Sequence, residues 1–379
     1  MFVGIDVSKK KHDVCIYDKE HEKYISFQIP NSRDGFEKFV SKISKDDVIA
    51  MEATGIYHES LYKFLDSNGY KVIILHPYQV KNISKTMNNS KNDRLDAKSI
   101  AVIISDFSAK LKKIKIPSNK IQSLREIVRH RNYVSSMLAN LERKLRRELF
   151  LVMPEIEKYF SDMLSPVLLE LLEKYPTPSK IISSFDEVRK IVGWTEDKVN
   201  KFEVDVRKSI GIEDEDGIYA FVVVSLVKDI KHLLEGLSEI EEKIKLLTED
   251  IPESKNLMTI KGVGLMTAAT IIAEIGDIER FDTKQQLTSY VGLDPVKIQS
   301  GQFSKNLHIS KKGSKVLRKS LYFLAVRLVR YDKRFRDFYK RLRERGKNSR
   351  LALVAVARKA LEIIFHILKT GEEYVPLTS

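Results

Sequence analysis

The hydrophobic positions of the first hundred residues fall into short apolar runs separated by amphipathic stretches. The apolar runs, bounded by turn residues, predict strands at residues 2–7, 12–17, 24–29, 48–51 and 71–75. The amphipathic stretches predict helices at residues 31–43, 57–67 and 92–104. Three strands followed by alternating helices and strands indicate a mixed sheet covered by helices.

From about residue 118 the pattern becomes helical. Residues 121–149 predict a long basic helix, and residues 151–215 predict short helices separated by prolines. A longer stripe with alternating spacings of three and four contains Val223, Leu226, Ile230, Leu233, Leu237, Ile240, Ile244 and Leu247. This coiled-coil seam is about three and a half heptads long. It fits packing against residues 121–149 as an antiparallel pair, and it equally fits pairing with another subunit.

A second globular region follows Pro252. Residues 260–264 (Ile-Lys-Gly-Val-Gly) have the form of a helix-hairpin-helix turn, and a helix rich in small residues follows to about residue 275. Basic helices are predicted at residues 313–330, 333–345 and 349–368. The fold class is therefore predicted to be multidomain, α/β followed by α. The predicted domains are residues 1–117, 118–252 and 253–379.

Charge is concentrated in two parts of the chain. The 66 Lys and Arg exceed the 52 Asp and Glu, giving a formal charge of +14. Residues 301–379 hold 20 basic and 6 acidic side chains, and residues 81–150 hold 17 and 6. Two basic regions set against an acidic remainder predict a polyanion bound at two places. The alternative is a basic surface that serves solubility alone.

Composition excludes several classes of protein. A chain that is 43% apolar is not disordered overall, and its one cysteine, Cys15, excludes a disulfide framework or a cysteine-based zinc site. No apolar run approaches the ~18 residues that span a bilayer, and the start lacks the pattern of a secretory signal. We therefore expect a cytoplasmic protein with no membrane partner. Residues 346–349 (Gly-Lys-Asn-Ser) do not form a phosphate-binding P-loop.

The positions of four carboxylates in the sequence predict a metal site. Asp6 interrupts an apolar strand, and Glu52 follows another directly. Asp93 and Asp96 are three residues apart and share one face of a predicted helix. A cluster of these acids needs cations, and ligands that are all oxygen indicate Mg²⁺, with Mn²⁺ as a substitute. Two such ions can promote phosphodiester cleavage.

Taken singly, each of these carboxylates also fits a structural role. Asp6 can bond a turn, Glu52 can pair with Lys71, and the helical pair can cap a helix. Their order, spacing and predicted fold together favour the metal site.

These residues carry a family resemblance. Residues 4–9, 51–57 and 91–97 resemble the three blocks of the DEDD transposases, from the 110 family of bacterial insertion sequences. The pilin-gene invertases are related to that family. The C-terminal third is similar to the family's transposase domain at residues 262–264, 273–277, 290–295, 299–301, 309–313 and 345–347.

The resemblance implies an N-terminal domain with the RuvC-like, ribonuclease-H-type fold. Its four catalytic and metal-binding acids would be Asp6, Glu52, Asp93 and Asp96. It also implies a serine nucleophile, and Ser300 matches the family's Ser-Gly motif. Such a serine would attack DNA and form a covalent phosphoserine link.

A serine is a weak nucleophile until its proton is removed and charge is neutralised. Lys297 or Lys305, together with the metal-bound acids, could supply these functions. Ser304 and Ser310 are the alternative nucleophiles, and an ordinary Ser-Gly turn is the structural alternative for Ser300.

The family further implies a structured guide, the bridge RNA, that pairs with donor and target DNA. We expect a homodimer that assembles to a homotetramer, with acids and serine meeting within one chain or between subunits. The turn glycines and nearby basic groups suit backbone phosphates. The nucleic-acid-binding residues are predicted to be Lys261, Gly262, Gly264, Lys305, Lys311, Lys312, Lys315, Arg318, Arg345 and Lys347.

The prediction is therefore a Mg²⁺-dependent transposase and DNA recombinase. One alternative is a Holliday-junction resolvase or RuvC-like nuclease that hydrolyses DNA without a covalent intermediate. The other is a non-catalytic nucleic-acid-binding protein.

Overall fold

The structure, a computed structural model, describes residues 1–52, 56–75, 97–107, 118–300, 303–311 and 313–375. For residues 296–300 and 303–308 the description covers the backbone only. Contacts divide the chain into two compact units, residues 1–116 and 117–379, which are taken in turn.

The first unit contains a five-stranded mixed sheet. Its strands are β1 (Phe2–Asp6), β2 (Lys11–Asp18), β3 (Lys23–Pro30), β4 (Val48–Glu52) and β5 (Val72–Leu75). Their order across the sheet is β3-β2-β1-β4-β5. The first three strands pair antiparallel, whereas β1–β4 and β4–β5 pair parallel. The predicted mixed sheet is confirmed, and each predicted strand lies within a residue or so of an observed one.

Helices cover both faces of this sheet. They are α1 (Arg33–Val40), α2 (Glu59–Ser67) and α3 (Ala97–Phe107). The Ser32 side chain accepts a hydrogen bond from the Gly35 N–H and so caps the helix that was predicted at residues 31–43. Helices α1 and α2 bury the face that contains Ile5. Helix α3 packs on the opposite face of the sheet.

The second unit is mainly helical, as predicted. Its longer helices are α4 (Asn119–Val152), α5 (Pro166–Lys174), α6 (Pro178–Ser183), α7 (Phe185–Val192), α8 (Glu196–Arg207), α9 (Ile218–Glu249), α10 (Pro252–Met258), α11 (Leu265–Ile275), α12 (Lys284–Val291), α13 (Lys315–Tyr331), α14 (Lys333–Glu344) and α15 (Ser349–Thr370). Short 3₁₀ turns occupy Pro154–Lys158 and Ile278–Arg280. One feature was not predicted: an antiparallel hairpin of β6 (Pro295–Ser300) and β7 (Phe303–Ile309).

The two long helices form an antiparallel pair. Lys120 near the start of α4 bonds Asp250 just beyond α9, and Arg131 bonds Glu241 further along. Ile230, from the predicted seam, is fully buried. The prediction that the seam packs on the chain's own helix is confirmed. Additional pairing with another subunit stays a prediction.

Two hydrophobic cores share this helix pair. The end of α4, the start of α9 and helices α5–α8 form one core. The start of α4, the end of α9 and the C-terminal helices form the other. The division into three domains, with a boundary after residue 252, stays a prediction. Within the described part of the chain, no helix is long and apolar enough to cross a membrane.

Candidate active site

Two carboxylates meet at one edge of the sheet. Asp6 is the last residue of β1 and Glu52 the last of β4. The parallel register runs from Phe2 beside Val48 to Ile5 beside Met51, so the two acids that follow lie side by side. Both are half-buried. Two of the four predicted acids are therefore neighbours at the carboxyl ends of β1 and β4.

The electrostatics of this pair favour a cation. Burial, and secondly the charge of Asp6, raises the pKa of Glu52 above its usual range. Within the described residues, no group of three or more His, Cys, Asp or Glu side chains converges to hold a metal ion. Asp93 and Asp96, the other two predicted ligands, lie outside the described residues. Helix α3 begins at Ala97, one residue after the second of these acids.

A row of small residues brings α3 close to the sheet beside this pair. In β1, Gly4 pairs with Cys15 of β2 and with Ala50 of β4. Ala97 and Ala101 of α3 pack on this surface. A Cβ at position 4 would lie 3.0 Å from the Cβ of Ile100 and closer still to backbone atoms of α3, so only glycine fits. The start of α3 therefore packs against Gly4, which is two residues before Asp6 in β1.

A row of polar residues continues from Asp6 across two further strands. Asp13 of β2 is the cross-strand partner of Asp6, and Gln28 of β3 is the partner of Asp13. The Gln28 side-chain amide donates to Asp13 Oδ1 at 2.6 Å. The sequence pattern did not single out Asp13, because a polar residue is common on a partly exposed strand. Its position opposite Asp6 becomes evident only once the β1–β2 register is known.

The predicted nucleophile lies in the unpredicted hairpin. Ser300 ends β6 and pairs through its backbone with Phe303. The side chains of Ser300, Ser304, Lys297 and Lys305 lie outside the description. Their roles stay predictions.

The second alternative serine is held by a neighbouring carboxylate. The Ser310 hydroxyl donates to Asp294 Oδ1, and the Ser310 N–H donates to the Asp294 carbonyl. These bonds tie the end of β7 to the residue before β6. They give Ser310 a structural function in this fold.

The glycine turn joins α10 to α11. Gly262 has a φ of +88°, which favours glycine. Its carbonyl accepts a hydrogen bond of 2.8 Å from Arg327 Nη1 of α13, and the same nitrogen also reaches Thr267. Gly264 is the N-cap of α11 and offers no capping side chain. A glycine-containing turn between two helices is present, and its helix-hairpin-helix character and phosphate binding stay predictions.

Most of the predicted nucleic-acid-binding side chains are on the surface. The exposed ones are Lys261, Lys311, Lys315, Arg345 and Lys347. Arg318 is half-buried and donates to the carbonyls of Val291 and Gly313 at 3.0 and 2.6 Å, so part of its guanidinium serves the fold. The Lys305 side chain and Lys312 lie outside the description.

A buried ion pair attaches α4 to the helix that follows the glycine turn. Glu274 of α11 is 1% exposed, and Arg129 donates to both of its carboxylate oxygens at 2.8 and 3.1 Å. Arg125 Nε donates to the Ala273 carbonyl, and the Tyr290 hydroxyl donates to the Glu274 carbonyl. These bonds fix the end of α11 to α4 and α12.

Comparison with known proteins defines the class. Residues 3–154 match a family model described as a DEDD transposase of IS110, and residues 254–340 match one described as the transposase IS116/IS110/IS902 family. The chain is thus an enzyme of the transposase class.

Several curated relatives span nearly the whole chain. An insertion element IS110 protein of Streptomyces coelicolor is 26% identical, covering 99% of this chain and 95% of its own. A transposase for insertion sequence element IS1111A of Coxiella burnetii is 25% identical over 98% and 90%. A pilin gene-inverting protein of Moraxella bovis is 23% identical over 98% and 97%. Residues 3–154 and 254–340 are thus IS110-family transposase domains.

Proposed function

We propose that this protein is the transposase and site-specific recombinase of an insertion sequence, which cuts and rejoins DNA. The observation that carries the proposal is the adjacent pair of Asp6 and Glu52 at neighbouring parallel strand ends. The printed name of the Moraxella bovis relative, a gene-inverting protein, supports recombination as the outcome.

The strand arrangement supports a RuvC-like, ribonuclease-H-type domain. Three antiparallel strands adjoin two that run parallel to β1, giving the order β3-β2-β1-β4-β5. Carboxylates at the ends of β1 and β4 are then adjacent without any loop rearrangement. Such a site sits on rigid elements, which keeps its geometry tight.

Mg²⁺, or Mn²⁺ in its place, fits the residues present. The donors are carboxylate oxygens. The pKa of Glu52 is raised by burial and secondly by the charge of Asp6, and a bound cation would favour the charged form against both effects. Asp6, Glu52, Asp93 and Asp96 would hold the metal. When bound, it supplies positive charge for the developing negative charge of phosphoryl transfer.

Ser300 is the proposed nucleophile. Its Oγ forms a bond to a DNA phosphorus while one bridging P–O bond breaks. The serine proton passes to a nearby base, and the departing DNA oxygen takes up a proton to leave as a hydroxyl. Lys297 and Lys305 would neutralise phosphate charge. Attack by another DNA hydroxyl on the phosphoserine reverses these steps and joins the new strand.

The proposed partners are donor DNA, target DNA and a guide RNA of the bridge type. Exposed basic side chains of α13 and of the turn between α14 and α15, including Lys315, Arg345 and Lys347, would hold DNA phosphates. The basic region of residues 81–150 would hold RNA. We further propose a homodimer that assembles to a homotetramer, with acids and serine meeting across subunits.

Covalent trapping tests the proposal. Purified protein, co-purified RNA and labelled DNA carrying the element's end are incubated with Mg²⁺ and denatured. A DNA–protein adduct that Ser300→Ala abolishes and Ser304→Ala retains supports the serine mechanism. Cleavage without an adduct supports the hydrolytic nuclease instead, and binding without cleavage supports the non-catalytic alternative. Full activity of Asp6→Asn and Glu52→Gln would exclude the acidic site.

RNA guidance has its own test. The protein is purified with and without ribonuclease treatment, and recombination is measured in both samples. Activity of the RNA-free protein would contradict guidance by RNA.

A further inference from the structure

The acidic pair is part of a longer polar row on one face of the sheet. Asp13 stands directly opposite Asp6, and Gln28 stands opposite Asp13. Partners across paired strands share a face, so these side chains lie on the same face as Glu52. Gln28 Nε2 donates to Asp13 Oδ1 at 2.6 Å, and Lys11 Nζ donates to Gln28 Oε1 at 2.8 Å. The amide is thus held at both ends.

We propose that Asp13 is a positioning carboxylate of the active site, whose charge strengthens divalent-cation binding by Asp6 and Glu52, and that Gln28 holds it in place. This inference rests on the proposed function, because it concerns the same metal site.

Among the described residues, the hydrogen bond that Asp13 accepts does not neutralise its charge. Like charges directly opposite each other in an antiparallel pair destabilise a sheet. The Lys11 ammonium bonds the Gln28 oxygen, and the hydrogen bond that Asp13 receives comes from a neutral amide. A cation bound at the end of β1 would compensate the repulsion between Asp13 and Asp6.

Asp13 acts at a distance from the ion in this arrangement. Its Oδ1 is occupied by the Gln28 amide. Among the described side chains, no three carboxylates converge on one point. Its contribution is therefore the field of one negative charge. Over the ~7 Å that separates diagonal neighbours on paired strands, one negative charge changes the affinity for a doubly charged ion about five- to tenfold, even in a medium as polarisable as water.

The test is Mn²⁺ binding to the full-length protein, measured from the signal of free Mn²⁺ or by calorimetry. We expect Asp13→Asn to weaken binding about five- to tenfold. Asp13→Glu keeps the charge and should stay within about twofold of wild type. The matched control is Asp46→Asn, which removes the same charge from an exposed turn and should change nothing.

Unfolding of the metal-free protein separates this function from a structural one. Asp13→Asn removes the repulsion with Asp6, and the new amide oxygen still accepts the Gln28 hydrogen bond. The variant should therefore be at least as stable as wild type without metal, and should gain less stability from Mn²⁺. A loss of metal-free stability with unchanged Mn²⁺ affinity would overturn the inference.

The variant Asp6→Asn distinguishes failure of the proposed metal site from failure of the inference about Asp13. If it abolishes Mn²⁺ binding while Asp13→Asn leaves affinity unchanged, only the inference about Asp13 is wrong. If wild type binds no Mn²⁺, or if Asp6→Asn binds it normally, both the proposed metal site and the inference are overturned.

Discussion

A single methyl group added at Gly4 is expected to separate helix α3 from the sheet. The new Cβ would lie 3.0 Å from the Ile100 Cβ and nearer still to the Ala97 carbonyl oxygen and the Ala101 nitrogen. Two of these three are backbone atoms, which cannot rotate away. Gly4→Ala must therefore displace α3 by on the order of 1 Å, as inserted methyl groups in packed cores do.

Two magnitudes follow from that displacement. Overpacking of this kind lowers the free energy of unfolding by about 1–3 kcal/mol. In addition, α3 starts one residue after Asp96, and it moves relative to Asp6 at the end of β1. A misplacement of about 1 Å among catalytic groups can reduce the rate about 100-fold. The activity loss should therefore exceed what partial unfolding explains.

The assay combines urea unfolding, followed by circular dichroism, with single-turnover DNA cleavage at a temperature where the variant stays folded. Gly236→Ala is the control, because a Cβ there meets nothing within 4 Å inside helix α9. That change should raise helix stability by about 0.5–1 kcal/mol and leave cleavage unchanged. Wild-type stability and cleavage in Gly4→Ala would refute the close approach of α3.

Three further changes test other parts of the fold. Burial lowers the pKa of His12 below its unfolded value of 6.5. The neutral, buried imidazole therefore stabilises the fold fully above pH 6.5, and this stabilisation is lost as pH falls through the folded pKa. Urea midpoints measured from pH 7.5 to 5 should fall more for wild type than for His12→Asn. Burial and the hydrogen bond to Asp332 raise the pKa of Tyr374 to about 12. The wild-type protein should therefore lose about 2–3 kcal/mol of unfolding free energy as pH rises from 10 to 12, and Tyr374→Phe should not show this loss. Arg129→Met leaves the buried Glu274 carboxylate without its ion-pair partner and should lower the unfolding free energy by about 2 kcal/mol. The loss is smaller than for a fully buried pair because the arginine is half-exposed. In a double-mutant cycle, adding Glu274→Gln should restore most of the lost stability.

The sequence predicted the elements better than their contacts. Asp6 and Glu52 were predicted as site residues because a charge in an apolar strand is conspicuous, and the structure places them side by side. Asp13 was not predicted, because its place opposite Asp6 depends on the β1–β2 register, which the strand pattern alone does not determine. The hairpin that carries Ser300 was also missed, since its Lys, Gln, Asn and Ser residues have little strand propensity.

The helical seam was ambiguous for a different reason. A stripe spaced by three and four fits any partner helix of suitable length. Only the tertiary structure, through ion pairs such as Arg131 with Glu241, selects α4 as that partner.

The sheet places its small and acidic residues in consecutive rows on the same face. Gly4 and its neighbours Cys15 and Ala50 let α3 come close, while two residues further along the same strands stand Asp6, Asp13 and Glu52. Two residues of a strand span about 6.6 Å. The helix is therefore seated by the small row, and its first residue is directed toward the edge where the acids meet. Larger side chains at Gly4, Cys15 or Ala50 would displace α3 and so disturb the arrangement of the acids without touching them. The Gly4 variant therefore tests the proposed active site and the fold together.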